Sequence, residues 1–526
     1  MPALRGNQPF EDSGKKLSNP VCAVITEETV LSARRAIGQA GGLADMIELR
    51  LDYLRDFDFT NPENLRPLFE DRSLPIIITC RAVSEGGRQP IDDEVRLRLL
   101  AEGARLGADY CDIEALFYDR AVKFSPEPSR LILSYHNFEE TPSDLDDIYE
   151  RVMSRPAAVH KIVTRANSLS DTLAVFRLLD RAEREGRRLI ALAMGAQGLI
   201  TRILSTSRGG FLTYGSTARG RESADGQLTC KELIDIYHVH RLSRRTTITG
   251  IIGRPVSHSA SPFMHNAAFR ALGFDSVYIP IEVIETSEFF ARFVRPSNRE
   301  IDWPLRGLSV TIPHKTSVLP LLDALDETAR KVGAVNTVVI DGGRVIGYNM
   351  DVQGAMEPLE RICSLRGEGC AVIGAGGAAR AVVCGLKERA ARVSVFARDP
   401  AKAAPLADEF SVSLFPLESV ESSDASIIIN TTPVGQRGMS EDESPVPASA
   451  LVNRQIAYDL IYNPLETRFL KEAKAAGCRT LSGIEMLVAQ AQLQFELWTG
   501  QRPPLGILRR AALEKVIGAG QHQDHR

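Results

Sequence analysis

The strongest constraint on the fold is a regular alternation of short apolar runs and amphipathic segments over the first 243 residues. Such alternation is typical of βα units that build a parallel sheet. Eight units in a little over two hundred residues predict a (β/α)8 barrel, whose last helix we expect over Cys230–Leu242. The predicted strands are Val21–Thr26, Met46–Leu51, Ile76–Arg81, Tyr110–Glu114, Leu131–His136, Val159–Thr164, Leu189–Met194 and Phe211–Tyr214.

The pattern restarts after a short polar and basic tract, Ser243–Thr247, where we place a domain boundary. Further on, an apolar strand at Cys370–Ile373 runs into a glycine turn and an alanine-rich helix. This order of strand, turn and helix opens a dinucleotide-binding Rossmann fold. The whole chain is therefore predicted to be of the α/β class.

The charge balance excludes several classes of partner. With 63 basic and 67 acidic side chains, a net charge of −4 and no long basic run, the chain offers no footprint for nucleic acid. The longest apolar stretches, such as Leu189–Met194, are far shorter than the ~20 residues of a membrane helix. We expect no nucleic-acid or membrane partner. His238 and His240 stand apart from other ligands, so no metal is expected.

Residues 1–19 have acidic side chains and no apolar core, which fits neither a signal peptide nor an acid-poor transit peptide, and we expect a flexible leader there. The eight cysteines include no CxxC pair, and several lie in apolar runs. Reduced, buried cysteines of this kind indicate a cytoplasmic protein. A plastid location follows if the source is a plant and the transit peptide has been removed.

The active site of such a barrel forms at the carboxyl ends of the strands. Lys161 interrupts the apolar sixth strand, and an inward lysine there is desolvated, which favours the neutral amine that forms an imine with a ketone. His136, on the neighbouring strand, is placed to act as general base and acid. Glu48, Arg50 and Arg81 also lie at strand ends. Several arginines at this face favour a carboxylate-bearing substrate.

Segments over about residues 20–243 resemble the type I 3-dehydroquinate dehydratases in matching order, namely Glu48–Arg50, Thr79–Arg81, Ser84–Gly87, Ser134–Asn137, Lys161–Ile162, Thr201–Arg202 and Ser223–Gln227. The resemblance implies that Lys161 forms a Schiff base with the substrate ketone. It implies that His136 removes the adjacent proton and later helps to expel the hydroxyl group as water, with Glu85 as its acidic partner. Arg202 would bind the ring carboxylate. The implied substrate contacts are Glu48, Arg50, Arg81, Arg202, Ser223 and Gln227.

The glycine turn has the form Gly-x-Gly-x-x-Ala over Gly374–Ala379 and is followed by a second strand, Arg392–Phe396. Backbone N–H groups of such a turn and the helix N-terminus bind a pyrophosphate. At the end of the second strand, Arg398 favours the 2′-phosphate of NADP, whereas Asp399 favours the ribose hydroxyl of NAD. We expect NADP.

The second half resembles the shikimate dehydrogenases over residues 248–515, in the segments Ser257–Asn266, Ser309–Lys315, Gly333–Thr337, Gly347–Asp351 and Gly483–Gln490. The resemblance implies a substrate-binding domain over 248–352 and 482–515, and a Rossmann NADP-binding domain over 353–481. Lys315 and Asp351 would form the catalytic pair. The expected substrate contacts are Ser259, Ser261, Thr311, Asn336, Tyr462, Gln490 and Gln494. The expected cofactor contacts are Gly374, Ala375, Gly376, Gly377, Ala378, Arg398, Asp399, Thr431, Gly483 and Met486.

Together these resemblances predict a bifunctional lyase and oxidoreductase of the shikimate pathway. It would dehydrate 3-dehydroquinate to 3-dehydroshikimate and then reduce that product to shikimate with NADPH. Ala397–Asp399 departs from the family's usual Asn-Arg-Thr, which leaves an NAD-dependent quinate or quinate/shikimate dehydrogenase as the alternative for the second half. A remote alternative is a non-catalytic metabolite-sensing regulator that keeps both folds.

Overall fold

The first sheet is a ring of eight parallel strands whose order follows the chain, with β1 between β2 and β8. A parallel bridge between Leu189 and Gly210, just ahead of β8, brings the two ends of the sheet together and nearly closes the ring. The strands are β1 Val21–Ile25, β2 Met46–Arg50, β3 Ile76–Thr79, β4 Tyr110–Glu114, β5 Leu131–His136, β6 Val159–Arg165, β7 Leu189–Met194 and β8 Thr213–Ser216. The predicted barrel is thereby confirmed.

Several predicted elements of the barrel differ from the structure at their ends, and the third strand ends at Thr79 rather than Arg81. The eighth strand begins two residues later than expected, at Thr213 rather than Phe211. The predicted last helix over Cys230–Leu242 is broken into a π-helical turn, Glu232–Ile236, and a 3-10 turn that follows it. His238 lies between the two with φ of 49°, and a left-handed residue ends a helix because it cannot continue the backbone hydrogen-bond ladder.

Amphipathic helices follow most of the barrel strands, and each turns its apolar stripe inward. In α2, for example, Leu97 and Leu100 are buried, and the side chain of Asp92 caps the first turn by accepting two backbone N–H groups. The helices of this region are α1 Val30–Gln39, α2 Asp93–Arg105, α3 Tyr118–Ala121, α4 Leu145–Met153, α5 Asp171–Arg184 and α6 Leu199–Leu204.

The second sheet is mixed and six-stranded, in the order β10-β9-β11-β13-β14-β12. Strands β9 and β11 are parallel, whereas β13 forms antiparallel pairs with β11 and β14. Its strands are β9 Thr247–Gly253, β10 Ser276–Glu282, β11 Leu305–Val310, β12 Ala324–Leu325, β13 Thr337–Asp341 and β14 Arg344–Tyr348. The helices in this part of the chain are α7 Ser261–Leu272, α8 Thr286–Phe289, α9 Glu327–Val332 and α10 Asp351–Glu360.

The third sheet is wholly parallel, in the order β17-β16-β15-β18-β19-β20. This is the 3-2-1-4-5-6 order of a Rossmann fold, which confirms the predicted dinucleotide-binding architecture. Its strands are β15 Gly369–Ile373, β16 Arg392–Ala397, β17 Ser413–Pro416, β18 Ile427–Asn430, β19 Ile456–Asp459 and β20 Arg479–Leu481. The remaining helices are α11 Gly377–Glu388, α12 Pro400–Phe410, α13 Arg468–Ala475, α14 Gly483–Thr499 and α15 Leu505–Gln521.

A computed structural model of the protein describes residues 19–70, 72–124 and 127–521. Nearly all of the predicted leader therefore lies outside the described residues. The chain forms two compact units. Of the described residues, one unit contains those up to Thr247 together with Asp275–Val294 and Asn298–Pro304, and the other contains Ile248–Phe274, Arg295–Ser297 and those from Leu305 onward. Within the described ranges, no helix is long and apolar enough to cross a membrane.

Candidate active sites

The carboxyl ends of the barrel strands enclose one cavity, and all nine polar residues expected in the dehydratase site line it. They are Glu48, Arg50, Arg81, Glu85, His136, Lys161, Arg202, Ser223 and Gln227. Apolar and aromatic side chains complete the wall, among them Val24, Phe138, Leu192, Met194 and Tyr214. The barrel fold thus brings residues from distant parts of the sequence to one enclosed space.

Lys161 lies in the middle of β6 with its side chain only 5% exposed. Its Nζ is 2.9 Å from an oxygen of Asp112 and 3.6 Å from an oxygen of Glu48. Asp112 also accepts a hydrogen bond from Ser134 and pairs with Arg81 at 2.9 Å. Burial raises the pKa of Asp112, but Arg81 and Lys161 outweigh burial and hold that pKa well below its usual range. Lys161 is therefore buried, as expected of an inward lysine, and it is also paired with two carboxylates.

His136 and Glu85 form a pair in the same cavity. The imidazole Nδ1 lies 2.9 Å from Glu85 Oε2, and the backbone N–H of His136 donates to the same oxygen. Burial, with help from Arg81 and Lys161, lowers the pKa of His136 well below its usual value. Burial also raises the pKa of Glu85 to about 8. A neutral imidazole beside a carboxyl group of high proton affinity is suited to taking a proton and returning it.

A row of buried charges of alternating sign supports this cavity, and sequence reasoning missed several of its members. Glu114 accepts hydrogen bonds from Arg96 at 2.5 Å and from Arg81 at 3.2 Å, and Arg81 in turn pairs with Asp112. Asp112 and Glu114 occupy alternate positions of the buried strand β4, and residues two apart face the same side of a strand. That spacing was the available signal.

Asp52, which the sequence analysis also missed, is fully buried behind Arg50. Its carboxylate binds the Arg50 guanidinium through two hydrogen bonds of 2.8 and 2.9 Å. It also accepts the backbone N–H groups of Arg81 and Arg88. Burial raises the pKa of Asp52, but Arg50 outweighs burial and keeps that pKa below its usual value. The Asp52 carboxylate thus orients Arg50 and, through these backbone hydrogen bonds, holds both ends of the loop that contains Glu85.

Arg202 differs from the other cavity cations, since no carboxylate of the described residues lies within ion-pair distance of it. Its guanidinium donates one hydrogen bond, to the backbone oxygen of Asp225 at 3.3 Å, and its Nε is buried without a partner in this part of the chain. Burial lowers the pKa of Arg202 to about 10. A buried guanidinium without a counter-ion is a binding position for an anionic group.

In the second half, Lys315 and Asp351 form a close ion pair at 2.5 Å. The lysine side chain is 27% exposed and the aspartate side chain 10% exposed. Asp351 is the first residue of α10, where a negative charge is favoured by the helix dipole. Asn336 donates to its other carboxylate oxygen at 2.8 Å. Lys315 is therefore held by Asp351, which is held in turn by Asn336, and its side chain remains partly exposed to solvent.

The two glutamines expected on α14 behave differently. The amide of Gln490 faces Asn336 at 3.5 Å, close to Asp351. The amide of Gln494 is buried and engaged by the protein, because it donates to Thr337 and accepts from Ser309 at 2.9 Å each. Gln490 therefore lies beside the Lys315–Asp351 pair, whereas Gln494 joins α14 to β11 and β13.

The remaining expected substrate residues lie on separate segments of the same unit. Ser261 is the first residue of α7, and its backbone N–H donates to the hydroxyl of Ser259. Thr311 follows β11 and its N–H donates to Ile252 at the end of β9. Tyr462 follows β19, and burial raises its pKa. No hydrogen bond between described side chains links these four residues to Lys315 or Asp351.

The glycine turn between β15 and α11 has room for a phosphate. A Cβ added to Gly376 or Gly377 would meet nothing within 4 Å, and no side chain caps the first N–H groups of α11. Gly374 has φ of 106° and lies against Thr431 and Thr432 at the end of β18. Ala375 lies in the turn, and Ala378 lies in the first turn of α11. Free N–H groups at a helix N-terminus suit the pyrophosphate of a dinucleotide.

The two residues that bear on cofactor choice have different surroundings. Asp399 caps α12 by accepting the backbone N–H of Lys402 at 3.2 Å, and the Lys402 ammonium lies 3.6 Å from it. Arg398 is exposed, and within the described ranges no acidic side chain pairs with it. Since the acidic side chain is occupied by the helix, the free guanidinium makes this strand end suitable for the 2′-phosphate of NADP.

Gly483 and Met486, both expected near the cofactor, lie at the start of α14. A Cβ on Gly483 would come within 2.5 Å of the backbone oxygens of Leu460 and Ile461, so a glycine is required there by close packing. Met486 packs against the apolar core of the third sheet. No group of His, Cys, Asp and Glu side chains in the described part of the chain has the arrangement of a metal site.

Comparisons with known proteins agree with this geometry. The family model for type I 3-dehydroquinase matches residues 21–244. The models for the shikimate dehydrogenase substrate-binding domain and the shikimate 5′-dehydrogenase C-terminal domain match residues 251–338 and 483–513.

Among curated relatives, the chloroplastic bifunctional 3-dehydroquinate dehydratase/shikimate dehydrogenase of Arabidopsis thaliana is 35% identical over 93% of this chain and 83% of its own length. The shikimate biosynthesis protein AroDE of Chlamydia pneumoniae is 30% identical over 91% of this chain and 95% of its own. The shikimate dehydrogenase (NADP(+)) of Pelobacter propionicus is 43% identical over 52% of this chain and 96% of its own. The chain belongs to the family of bifunctional 3-dehydroquinate dehydratase/shikimate dehydrogenases.

Proposed function

We propose that the barrel dehydrates 3-dehydroquinate to 3-dehydroshikimate and that the second half reduces this product to shikimate with NADPH. The observation that carries the first step is the composition of one cavity. It holds a nucleophilic lysine, a neutral histidine and an arginine without a counter-ion. These groups match the ketone, the proton to be removed and the carboxylate of the proposed substrate. Family membership supports both steps.

In the barrel, Lys161 attacks the substrate ketone, and the ketone oxygen leaves as water when the protonated imine forms. The imine withdraws electrons and acidifies the neighbouring C–H, from which His136 takes a proton. His136 then returns a proton to the departing hydroxyl group, and a second water leaves. Hydrolysis of the imine restores Lys161. Asp112 and Glu48 balance the positive charge that the protonated imine retains, while Arg202 binds the carboxylate.

In the second half, bound NADPH would supply a hydride to the ketone carbon. The ketone oxygen gains negative charge, and Lys315 is placed to donate a proton to it. Asp351 holds the ammonium in place, and Asn336 holds Asp351. The free N–H groups at the start of α11 and the exposed Arg398 would hold the cofactor, and Thr431 lies beside the same turn.

The choice of NADP over NAD is supported by the position of Asp399. Its carboxylate is the feature that favours the NAD-dependent quinate alternative, yet it serves as the cap of α12. We likewise propose that the protein works on small molecules alone, without nucleic acid, and that it is cytoplasmic. The eight cysteines are all free thiols, and seven of them are buried, which suits a reducing compartment.

The test supplies purified protein with 3-dehydroquinate, first alone and then with NADPH or NADH. Formation of the conjugated enone and oxidation of the cofactor are followed by absorbance. We expect enone formation without cofactor, followed by NADPH-dependent consumption. In Lys161→Ala the enone should not form, while reduction of added 3-dehydroshikimate continues. Enone that neither cofactor consumes would contradict the reductase proposal, and absence of enone from the wild-type protein would contradict the dehydratase proposal.

A further inference from the structure

Tyr214, on β8, lies beside the reactive lysine although neither the chemistry above nor the sequence motifs assign it a role. Its ring lines the same cavity, and Lys161 Nζ lies 4.4 Å from the ring centroid. The residue is only 5% exposed. An ammonium over the face of a desolvated aromatic ring is attracted by the ring's negative quadrupole. The ring therefore stabilises positive charge at the position where the imine would form.

The hydroxyl group of Tyr214 is buried, and it has no hydrogen-bond partner among the described residues. The other polar groups nearest the lysine are all engaged, since Asp112 binds Lys161, Glu85 binds His136 and Asp52 binds Arg50. Burial raises the pKa of Tyr214 well above its usual value, so the hydroxyl remains a donor at neutral pH. A buried hydroxyl without a partner is costly, and one that belongs to a residue lining the cavity is explained if a bound ligand supplies the partner.

We propose that Tyr214 is a further substrate-binding residue of the barrel, whose hydroxyl hydrogen-bonds the bound substrate while its ring stabilises the positive charge on Lys161 and on the protonated imine. The inference rests on the proposed dehydratase activity. It predicts that the two parts of the side chain affect different steps. The hydroxyl contributes to substrate binding, and the ring contributes to formation of the imine.

Three variants separate these contributions. Tyr214→Phe removes the hydroxyl and keeps the ring, and Tyr214→Leu removes both. Tyr110→Phe is the matched control, because Tyr110 is another buried tyrosine of the barrel interior that does not line the cavity. The measurements are KM and kcat for 3-dehydroquinate, the rate at which borohydride traps the imine, and the thermal midpoint of unfolding.

For Tyr214→Phe we expect KM to rise roughly three- to tenfold, with little change in trapping rate and no loss of thermal stability, because a group without a partner in the free protein is removed. For Tyr214→Leu we expect trapping to slow by roughly five- to thirtyfold as well. Tyr110→Phe should leave KM and trapping unchanged. If Tyr214→Leu does not fold, Tyr214→Met takes its place, since it is also without a ring and its longer, unbranched side chain adapts to irregular gaps.

An unchanged KM in Tyr214→Phe would overturn the role of the hydroxyl, and an unchanged trapping rate in Tyr214→Leu or Tyr214→Met would overturn the role of the ring. In both cases the wild-type protein would still form enone, and the proposed function would stand. A wild-type protein that forms neither enone nor a trapped adduct would overturn the proposed dehydratase and this inference together. If Tyr110→Phe changes KM and the trapping rate as much as the Tyr214 variants do, both effects come from general packing, and the proposal is contradicted.

Discussion

The two lysines that we propose to be reactive occupy opposite environments. Lys161 is almost fully enclosed, with two carboxylates and an aromatic ring around its ammonium. Lys315 is about a quarter exposed and has one carboxylate partner at 2.5 Å. A lysine that bonds covalently to its substrate needs water excluded and its charge balanced on several sides. A lysine that only donates a proton needs a fixed orientation and access to a source of protons. The single ion pair with Asp351 fixes the orientation of Lys315, and its partial exposure gives access to water.

The energetic consequence is that the barrel site depends on complete pairing. Arg96, Glu114, Arg81, Asp112 and Lys161 alternate in sign, and each touches the next. Removal of one buried partner leaves an uncompensated charge in a poorly solvated place. The pair in the second half lies nearer to water, which can solvate whichever partner is left behind.

The largest expected effect comes from Lys161→Arg. Arginine keeps the positive charge and the ion pairs but does not form an imine, so dehydration should fall by roughly 10⁴-fold or more. Enone formation and borohydride trapping measure the loss, and reduction of added 3-dehydroshikimate is the internal control. Substantial dehydratase activity in this variant would show that the charge of Lys161 matters rather than its nucleophilicity.

Lys315→Arg tests the other side of the comparison and should be milder. The guanidinium retains the pair with Asp351 and stabilises charge on the substrate oxygen, but it is a poor proton donor, so we expect reduction to fall roughly 10²-fold. Lys315→Ala, which loses both properties, should fall further. Steady-state oxidation of NADPH with 3-dehydroshikimate measures both variants. Equal losses in the two would mean that charge at this position contributes nothing.

Stability should distinguish Asp112→Asn from Asp351→Asn. The first leaves Lys161 and Arg81 short of a buried carboxylate and should lower the free energy of unfolding of the barrel by about 3–5 kcal/mol. The second exposes a more accessible lysine and should cost less than about 1 kcal/mol. Urea unfolding followed by circular dichroism gives both values. Similar losses in the two variants would remove the distinction between the sites.

The enclosed site should also make the stability of the barrel depend on pH through Glu85. Its pKa is raised from 4.5 to about 8 in the folded state, so the native protein binds more protons than the unfolded chain across that interval and loses stability as the pH rises. Glu85→Gln lacks this loss. Its stability relative to the wild-type protein should rise by about 3 kcal/mol between pH 5 and pH 8.

Urea midpoints at several pH values measure this difference, and Glu139→Gln, at an exposed glutamate, is the control. If the difference in the free energy of unfolding between Glu85→Gln and the wild-type protein does not change with pH, the raised pKa of Glu85 is contradicted.

The smallest effects are expected at the cofactor site, where both charges are exposed. Arg398→Ala should raise the KM for NADPH roughly tenfold and leave that for NADH nearly unchanged. Asp399→Ala removes a helix cap and should lower stability by about 1 kcal/mol, while the ratio of NADPH to NADH activity stays within about threefold. Kinetics with both cofactors are the measurement. A strong switch toward NADPH in Asp399→Ala would show that its carboxylate faces the ribose.

The sequence predicts the barrel and the Rossmann sheet well, because both follow from repeated strand and helix patterns. It also selects Lys161, within β6, and His136, at the end of β5, from their positions on the barrel strands, whereas Glu85, in the turn after β3, follows from the family resemblance alone. Asp112 and Asp52 are missed, because a carboxylate in or beside a strand can face solvent or the interior. Which residue pairs with such a carboxylate depends on the register between neighbouring strands. The sequence of one strand does not determine that register.

The side-chain environment also decides cases that the sequence leaves open. Asp399 is equally compatible with a ribose contact and a helix cap, although Pro400 at the next position signals a helix start. Gln494 shares a helix face with Gln490, yet the hydroxyls of Ser309 and Thr337 occupy its amide. In both cases, contacts between residues far apart in sequence determine which of two local interpretations applies.

Arg96 gives the barrel an unusual dependence on its outer layer. It belongs to α2, a helix outside the ring of strands, yet it supplies the first charge of the row that leads through Glu114, Arg81 and Asp112 to Lys161. A substitution that moves this helix would therefore act on the Lys161 ammonium through four successive ion pairs. Around α2, a substitution that changes the thermal stability of the barrel is therefore also expected to change the turnover rate of its site.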